Sequence, residues 1–426
     1  MIFLTDFEKM LYQYFSSEKV QELLTIKDQD PVYGLRLNTN KTQIFPFEGK
    51  KSVLNPKLLI PDNYKEAVTH PYHHAGLYYI QDPSASLAVE MMDLKPNDRV
   101  LDLCAAPGGK STEILNQIPE GFLLANEVNP KRNRRLQGNL KRWGNDRVAV
   151  SQASGAILSK TLPHRFDKII VDAPCSAEGL FRRKKDFMEA YRLDDPNRFT
   201  PIQTELLDNA YQMIAPGGII LYATCTLNPF ENEGVVRSFL EKHPDCRLLP
   251  IEHPLKEGGF DGMSDVARFF PSKHGEGHFM AKIQCGKDTI RKEKLHFKVD
   301  KKKKGHNYFS YKDENTMSIL FNRPMLDVNV KLMMDGIPYQ KMHHGKVQYL
   351  PDFSRYPESQ KLLPSLEVKL EDAYAYLHGL SLSVDVEDGW YLITYQGYSL
   401  GLVKVVKGMA KNYYPKAERN RFVSYP

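Results

Sequence analysis

Between Val100 and Ile283 the chain alternates short apolar runs with helical stretches, and this pattern restricts the fold more than any other feature. The runs are Val100–Cys104, Gly121–Glu127, Arg147–Ser151, Phe166–Asp172, Gly217–Thr224 and His278–Ile283. Runs this apolar are expected of strands covered on both faces, and the stretches between them supply the crossovers that parallel strands need. Helices are predicted from Lys110, over Asn129–Trp143, over Pro201–Ile214 and over Glu231–Lys242. The fold class is therefore α/β with a doubly wound sheet. Such sheets bind ligands outside the carboxyl ends of their strands.

The flanks read differently. Thr5 and Glu8 have capping-box spacing before a helix running through Tyr14; a second helix contains Val20, Leu23 and Leu24, and Tyr33–Lys41 is extended. Residues 287–304 carry nine Lys or Arg against three Asp or Glu, a net +6 that equals the charge of the whole chain, and they end in Lys301–Lys304. This reads as a linker, with solvation and RNA contact equally open as its use. Beyond it lies a proline-punctuated stretch, and then Gly389–Tyr398 and Leu402–Val406 alternate like a small β domain. The expected division is 1–92, 93–286, the linker 287–305, 306–368 and 369–426.

Several classes of protein are disfavoured. The five cysteines, Cys104, Cys175, Cys225, Cys246 and Cys285, are odd in number, widely spaced and without a C-x-x-C pair, so neither a disulfide framework nor a structural zinc site is expected. His73–His74 and His343–His344 lack further ligands nearby, and no metal is expected. No apolar run reaches the length of a membrane span, and Asp6 and Glu8 interrupt the amino terminus before a signal-peptide core, so a cytoplasmic protein is expected.

Cys104-Ala105-Ala106-Pro107-Gly108-Gly109-Lys110-Ser111 follows a predicted strand and opens a predicted helix. Small residues there let backbone amides approach a ligand at the positive end of the helix dipole. The segment differs from a phosphate loop in having Cys104 at the first glycine position and Pro107, which lacks an amide, inside the cradle; both count against an NTPase. Glu127 ends the next strand, where a carboxylate is placed to accept two ribose hydroxyls. An ordinary tight turn with a surface glutamate is the competing reading.

Asp172-Ala-Pro-Cys175 ends one strand and Thr224-Cys225-Thr226 ends another. If these strands are neighbours, both sulfurs face one crevice. A thiol reacts as its thiolate, which a nearby cation favours and an apolar interior opposes. Arg182, Arg183, Lys184 and Lys185 make an electropositive setting the expectation for Cys175. Cys246 and Cys285 are read as small buried hydrophobes.

Five segments in order then carry a resemblance: Ala75–Ser86, Leu101–Lys110, Asp172–Ser176, Tyr222–Thr226 with Asn228–Glu233, and Arg268–Pro271. Together they resemble the RNA (cytosine-5)-methyltransferases of the RsmB/NOP type, and within them the bacterial RsmF group. The resemblance implies a Rossmann-like methyltransferase core, an RRM-like amino-terminal region and a PUA-like carboxyl-terminal RNA-binding domain. It also implies S-adenosylmethionine as cofactor, held by Cys104–Lys110, with Glu127 on its ribose and Asp172 near both cofactor and base. Ser154 stands where the family usually has an acid near the adenine. Cys225 matches the family's nucleophile and Cys175 its second cysteine, associated with release of the methylated base.

The chemistry fits these groups. Cytosine C5 is a poor nucleophile, so a thiolate must first add at C6; Cys225 is the candidate. Asp172, if it retains a proton in a desolvated site, assists at N3. Cys175, or a water it orients, takes the C5 proton afterwards. The base must be single stranded or flipped out, with contacts expected from the linker, from Phe181–Lys185 and from the aromatic tail containing Tyr391, Tyr395 and Tyr398. For at least half of those tyrosines sheet packing is the preferred reading. The expected partner is ribosomal RNA or the small ribosomal subunit, acted on by a monomer. The alternatives are a tRNA cytosine methyltransferase and a non-catalytic RNA-binding assembly factor.

Overall fold

The computed structural model describes residues 4–183, 186–286, 308–313, 316–320, 330–343 and 346–419. The basic segment 287–305, Lys184, Lys185 and His344 lie outside the described residues.

The centre of the molecule is a sheet of nine strands. Five are parallel: β1 (Arg99–Asp102), β2 (Phe122–Asn126), β3 (Val148–Ser151), β4 (Phe166–Asp172) and β5 (Ile214–Thr224). They lie in the spatial order β5-β4-β1-β2-β3, so the chain reverses direction across the sheet between β4 and β1. A crevice forms at such a reversal. On the β5 edge, β8 (His278–Cys285) runs antiparallel and separates β5 from β6 (Cys246–Leu249); β7 (Ala267–Phe269) also pairs with β8. On the other edge β9 (Leu332–Asp335), from the stretch expected to be a separate unit, adds antiparallel to β3.

Helices cover both faces, as the apolar runs require. Leu87, Ile114, Leu115, Leu136 and Leu140 pack on one face with Val100, Leu123 and Val148. Leu158, Leu207, Ala210, Val236 and Phe239 pack on the other with Leu101, Leu124 and Ile220. Each such aliphatic side chain, almost wholly removed from water, contributes about 1.5–3 kcal/mol relative to exposure. The helices are α1 (Gly109–Gln117), α2 (Pro130–Trp143), α3 (Gly155–Thr161), α4 (Asp195–Met213) and α5 (Val235–Lys242). Two boundaries differ from expectation. Pro201 lies inside α4, whose first turn already holds Pro196, and a π-helical turn, Phe230–Gly234, precedes α5.

The amino-terminal helices Asp6–Tyr14 and Ser17–Thr25 form as expected, the first with Thr5 and Glu8 in a reciprocal capping box. They bury Phe7, Leu11, Val20 and Leu23 against Phe181, Tyr191 and Leu227 of the core. An antiparallel sheet of Gly34–Leu37, Gly49–Lys51, Leu58–Pro61 and Tyr78–Gln81 follows. It does not stand alone: Leu35, Leu59, Leu77 and Tyr78 share one hydrophobic cluster with Tyr376 and Leu377 of the helix Leu370–His378 and with Ile393 and Val403 of the carboxyl-terminal sheet. Tyr72 meets Tyr395 and Tyr398 at 5.5 and 5.9 Å between ring centroids. These tail tyrosines pack at an internal joint between the two ends of the chain, in line with the packing reading preferred for at least half of the aromatic tail.

Candidate active site

The turn Cys104–Lys110 leaves β1 and enters α1. Gly108 caps the helix with φ of +110°, a left-handed conformation that disfavours any residue with a Cβ. The turn is held from behind. Ala105 donates its amide to Asn126 O (2.8 Å), Arg132 donates to Ala106 O (2.8 Å), Asn139 to Pro107 O (2.8 Å) and Arg36 to Gly109 O (3.0 Å). Its carbonyls are thus engaged by protein donors, and amides remain for a ligand.

The charges around the turn are mostly negative. Asp102, Asp172 and Glu127 all act on the Cys104 thiol, which burial above all, and then these acids, push well up; Arg132 opposes them. Cys104 therefore stays a thiol. Asp102 is wholly buried, accepts from Ser111 Oγ at 2.6 Å, and is raised to about 7, chiefly by burial. Lys110 and Arg132 offset these acids, Lys110 pairing with Asp172 at 2.7 Å and Arg132 lying 3.4 Å from Glu127.

Glu127 follows β2 and is only partly satisfied. Its Oε1 accepts from the Asn129 amide (2.9 Å), while the buried Oε2 has no hydrogen-bond donor, only Arg132 Nε at 3.4 Å. An unmatched carboxylate oxygen at the end of β2 is the acceptor that ribose hydroxyls would satisfy. Asn126, missed in the sequence, fixes this rim: it donates to Leu103 O and Ala153 O and accepts from Ser151 Oγ and the Ala153 amide. Ser154 uses its hydroxyl to cap α3, accepting from the Ile157 amide at 3.3 Å.

Asp172 ends β4, beside Lys110. Lys110 Nζ donates to Asp172 Oδ2 at 2.7 Å, and the Asp172 side chain is 31% exposed. Burial pulls the Lys110 ammonium down, but Asp172 more than reverses this and the net shift is upward. The desolvated pocket expected around Asp172 is not what the structure shows: the side chain is paired with Lys110 and partly open to water.

The two cysteines come together. β4 and β5 are neighbours, and Cys175 Sγ lies 3.3 Å from Cys225 Sγ. Cys175 is pushed well up by its hydrogen bond with Cys225 and by burial. Of the four cations expected to make an electropositive setting, Lys184 and Lys185 lie outside the described residues. Arg182 is itself buried and paired with Glu276 at 3.0 Å, and Arg183 pairs with Glu276 at 2.9 Å and Asp82 at 3.1 Å. These two guanidiniums are thus matched by carboxylates, and Phe181 is buried in the helical cluster.

The loops bearing the cysteines are pinned by two buried acids to which the sequence gave no role. Glu231 accepts from the Ser176 amide (3.0 Å), Ser176 Oγ (2.5 Å), Gln203 Nε2 (2.7 Å) and Asn228 Nδ2 (2.7 Å). Glu178 accepts from the Leu227 and Asn228 amides (2.9 and 2.7 Å), from Asn228 Nδ2 (2.8 Å) and from Tyr191 Oη (2.7 Å). Each acid ties the segment after Cys175 to the segment after Cys225. Asn228 and Glu231 lie inside a matched segment, which was the available signal; Glu178 had none.

Topology and the glycine-rich turn mark this crevice as that of an S-adenosylmethionine-dependent methyltransferase fold. Residues 89–284 match the family model of the 16S rRNA methyltransferases RsmB/F, and residues 363–420 match that of the methyltransferase RsmF PUA domain. Over these two stretches the chain is similar to the RsmB/F methyltransferases and to the PUA domain of RsmF. The ribosomal RNA small subunit methyltransferase F of Escherichia coli is 37% identical over 224 residues, 50% of this chain and 46% of that protein. The protein of the same name from Klebsiella pneumoniae is 36% identical over 219 residues, with the same coverage. The match therefore spans about half the length of these relatives. A crystal structure of a methyltransferase homolog protein from Pyrococcus horikoshii superposes with a TM-score of 0.55 at 25% identity, covering 66% of this chain and 98% of that one.

Proposed function

We propose that this protein methylates C5 of a cytosine in 16S ribosomal RNA, in the decoding region, through a covalent bond between Cys225 and C6 of the base. The single observation that carries the reading is the pair of thiols, 3.3 Å apart at the ends of adjacent strands and on the same crevice as the glycine-rich turn. A nucleophile and a separate proton acceptor are what this chemistry requires, and two cysteines in contact supply both.

S-Adenosylmethionine fits the residues present. The amides of the Cys104–Lys110 turn and the unmatched Glu127 oxygen would hold it. When bound, it supplies an electrophilic methyl group. The protein's own residues do the rest. Cys225 Sγ, as thiolate, bonds to C6 and pushes the ring electrons toward C5. The Lys110–Asp172 pair meets the charge that develops on the ring, the ammonium as counter-charge and the carboxylate as acceptor for the base's amino group. After C5 is methylated, Cys175, having released its own proton to water once Cys225 is bonded to carbon, takes the C5 proton as thiolate; the electrons of that C–H bond restore the C5–C6 double bond, and the C6–S bond breaks, returning Cys225 as thiolate.

Cys225→Ala tests the reading. Product formation, followed as 5-methylcytosine in 16S ribosomal RNA from a deletion strain, falls to background, while calorimetry shows cofactor binding unchanged. Full activity in this variant ends the covalent mechanism. Sequencing of tRNA from the same strain decides the substrate: 5-methylcytosine missing there instead of in ribosomal RNA reassigns it.

A further inference from the structure

A cavity of about 260 Å³ lies between the amino-terminal sheet and the catalytic core, lined by Tyr33, Tyr64, His73, Gln81, Arg142 and Arg183 among others. None of these residues belongs to the catalytic or cofactor set above. The Tyr33 and Tyr64 rings are stacked, 4.3 Å between centroids and 13° from parallel, and the Arg183 guanidinium lies 4.9 Å from the Tyr33 centroid on the same wall. Arg183 is locked by Asp82 and Glu276, so this wall is rigid. Both tyrosines are only half-buried.

The remaining lining is polar and directional. His73 Nδ1 is 2.9 Å from Val68 O, which fixes the ring proton on Nδ1 and leaves Nε2 an acceptor; burial, its largest influence, keeps this imidazole neutral. Gln81 gives Nε2 to Glu113 at 3.2 Å, so its Oε1 is also an acceptor. Arg142 supplies donors. The cavity is smaller than the roughly 300–1,000 Å³ of a drug-sized site and is walled by aromatic rings, the form suited to one planar heteroaromatic ring.

Its position connects it to the reaction. Gln81 Oε1 lies so near Gly109 that a Cβ there would stand 3.2 Å from it, and the next residue, Lys110, holds Asp172. Gln81 therefore touches both the cavity and the glycine-rich turn whose next residue holds Asp172.

We infer that this cavity binds a second nucleobase of the substrate strand, close to the target cytosine, stacked on the Tyr33–Tyr64 wall and read at its edge by His73, Gln81 and Arg142. The inference rests on the reading that the substrate is RNA and deepens it. Holding a neighbouring base would offset part of the cost of unstacking the target.

The test uses the full chain carrying Cys225→Ala, titrated with single-stranded oligoribonucleotides that contain one cytosine and one 2-aminopurine moved through the flanking positions. Fluorescence quenching at one or two positions is expected, lost in the added double variant Tyr33→Leu/Tyr64→Leu and kept in Tyr33→Phe/Tyr64→Phe. With Cys225 intact, the leucine pair raises KM for RNA roughly five- to hundredfold, with kcat and cofactor affinity within twofold of the parent. Unchanged cofactor affinity shows that the core remains folded. Equal quenching in the leucine and phenylalanine pairs, or an unchanged KM, overturns the inference while leaving the methylation reading intact. Tyrosine-dependent quenching without any 5-methylcytosine made by the wild-type chain supports the base pocket and sinks that reading. No binding of any oligonucleotide overturns both.

Discussion

Cys175 and Cys225 are fifty residues apart in the chain, and their sulfurs are 3.3 Å apart. The contact is close enough for one sulfur to donate to the other, and a thiolate on one opposes ionisation of its neighbour. That asymmetry suits a division of labour: one sulfur attacks while the other keeps its proton until the first is bonded to carbon.

Replacing Cys175 by Ala removes the second sulfur and leaves the first. The expected outcome is a protein–RNA adduct that survives denaturing electrophoresis and accumulates with time, with turnover reduced to background. Free protein and free RNA alone would assign proton removal to another group.

Glu127→Ala removes the unmatched oxygen at the end of β2. Loss of one or two charge-assisted hydrogen bonds is expected to weaken S-adenosylmethionine roughly ten- to hundredfold. Calorimetry measures this directly, and an unchanged affinity would remove Glu127 from the site.

Glu231→Gln keeps the shape of a buried acid but puts an amide N–H where Ser176, Gln203 and Asn228 already donate. The Cys175 and Cys225 loops should shift relative to one another. We expect kcat to fall by roughly ten- to a hundredfold, cofactor affinity to stay the same, and the yield of the Cys175→Ala adduct to fall in the double variant. Normal kcat would show that the network is only structural.

Asp102 gives a pH prediction. Its folded-state value, about 7, lies above its ordinary 3.8 because burial disfavours the charge. The folded protein therefore binds this proton more tightly than the unfolded chain. Its contribution is fully present below pH ~4 and is lost as pH rises through 7, on the order of 4 kcal/mol in all. Asp102→Asn cannot titrate, so its denaturation midpoint should fall less between pH 5 and pH 8 than that of the wild type. Part of the slope will remain, because Glu113 is also raised to about 7, mainly by burial. Parallel slopes in the two proteins would contradict the assignment.

Much of the core was legible from residue order because its signals are local. Apolar runs and capping residues act within a few positions, so six of the eight strands from Arg99 to Cys285 and the Thr5–Glu8 capping box were readable, whereas Cys246–Leu249 and Ala267–Phe269 were not. The turn at Gly108 was readable for the same reason. Pro201 was misread as a helix start because the preceding turn, with Pro196, already begins the helix.

Charge was harder to read. Arg182 and Arg183 looked like a cationic patch because their counter-charges, Glu276 and Asp82, lie about a hundred residues away in either direction. Asp172 looked like an isolated acid because Lys110 reaches it only through the pairing of β1 with β4. That the tail tyrosines pack on the amino-terminal sheet was not readable, because that sheet lies at the other end of the chain.

The amino-acid sequence alone determined which elements form, and it placed the glycine-rich turn, Glu127 and both cysteines at strand ends, since periodicity and backbone sterics are short-range. Tertiary structure alone decided which of those ends meet, which acids are ion-paired and which oxygens remain unmatched. Coulomb forces and burial depend on distance through space, and the chain brings Cys175 to Cys225 and Lys110 to Asp172 only once the sheet has closed.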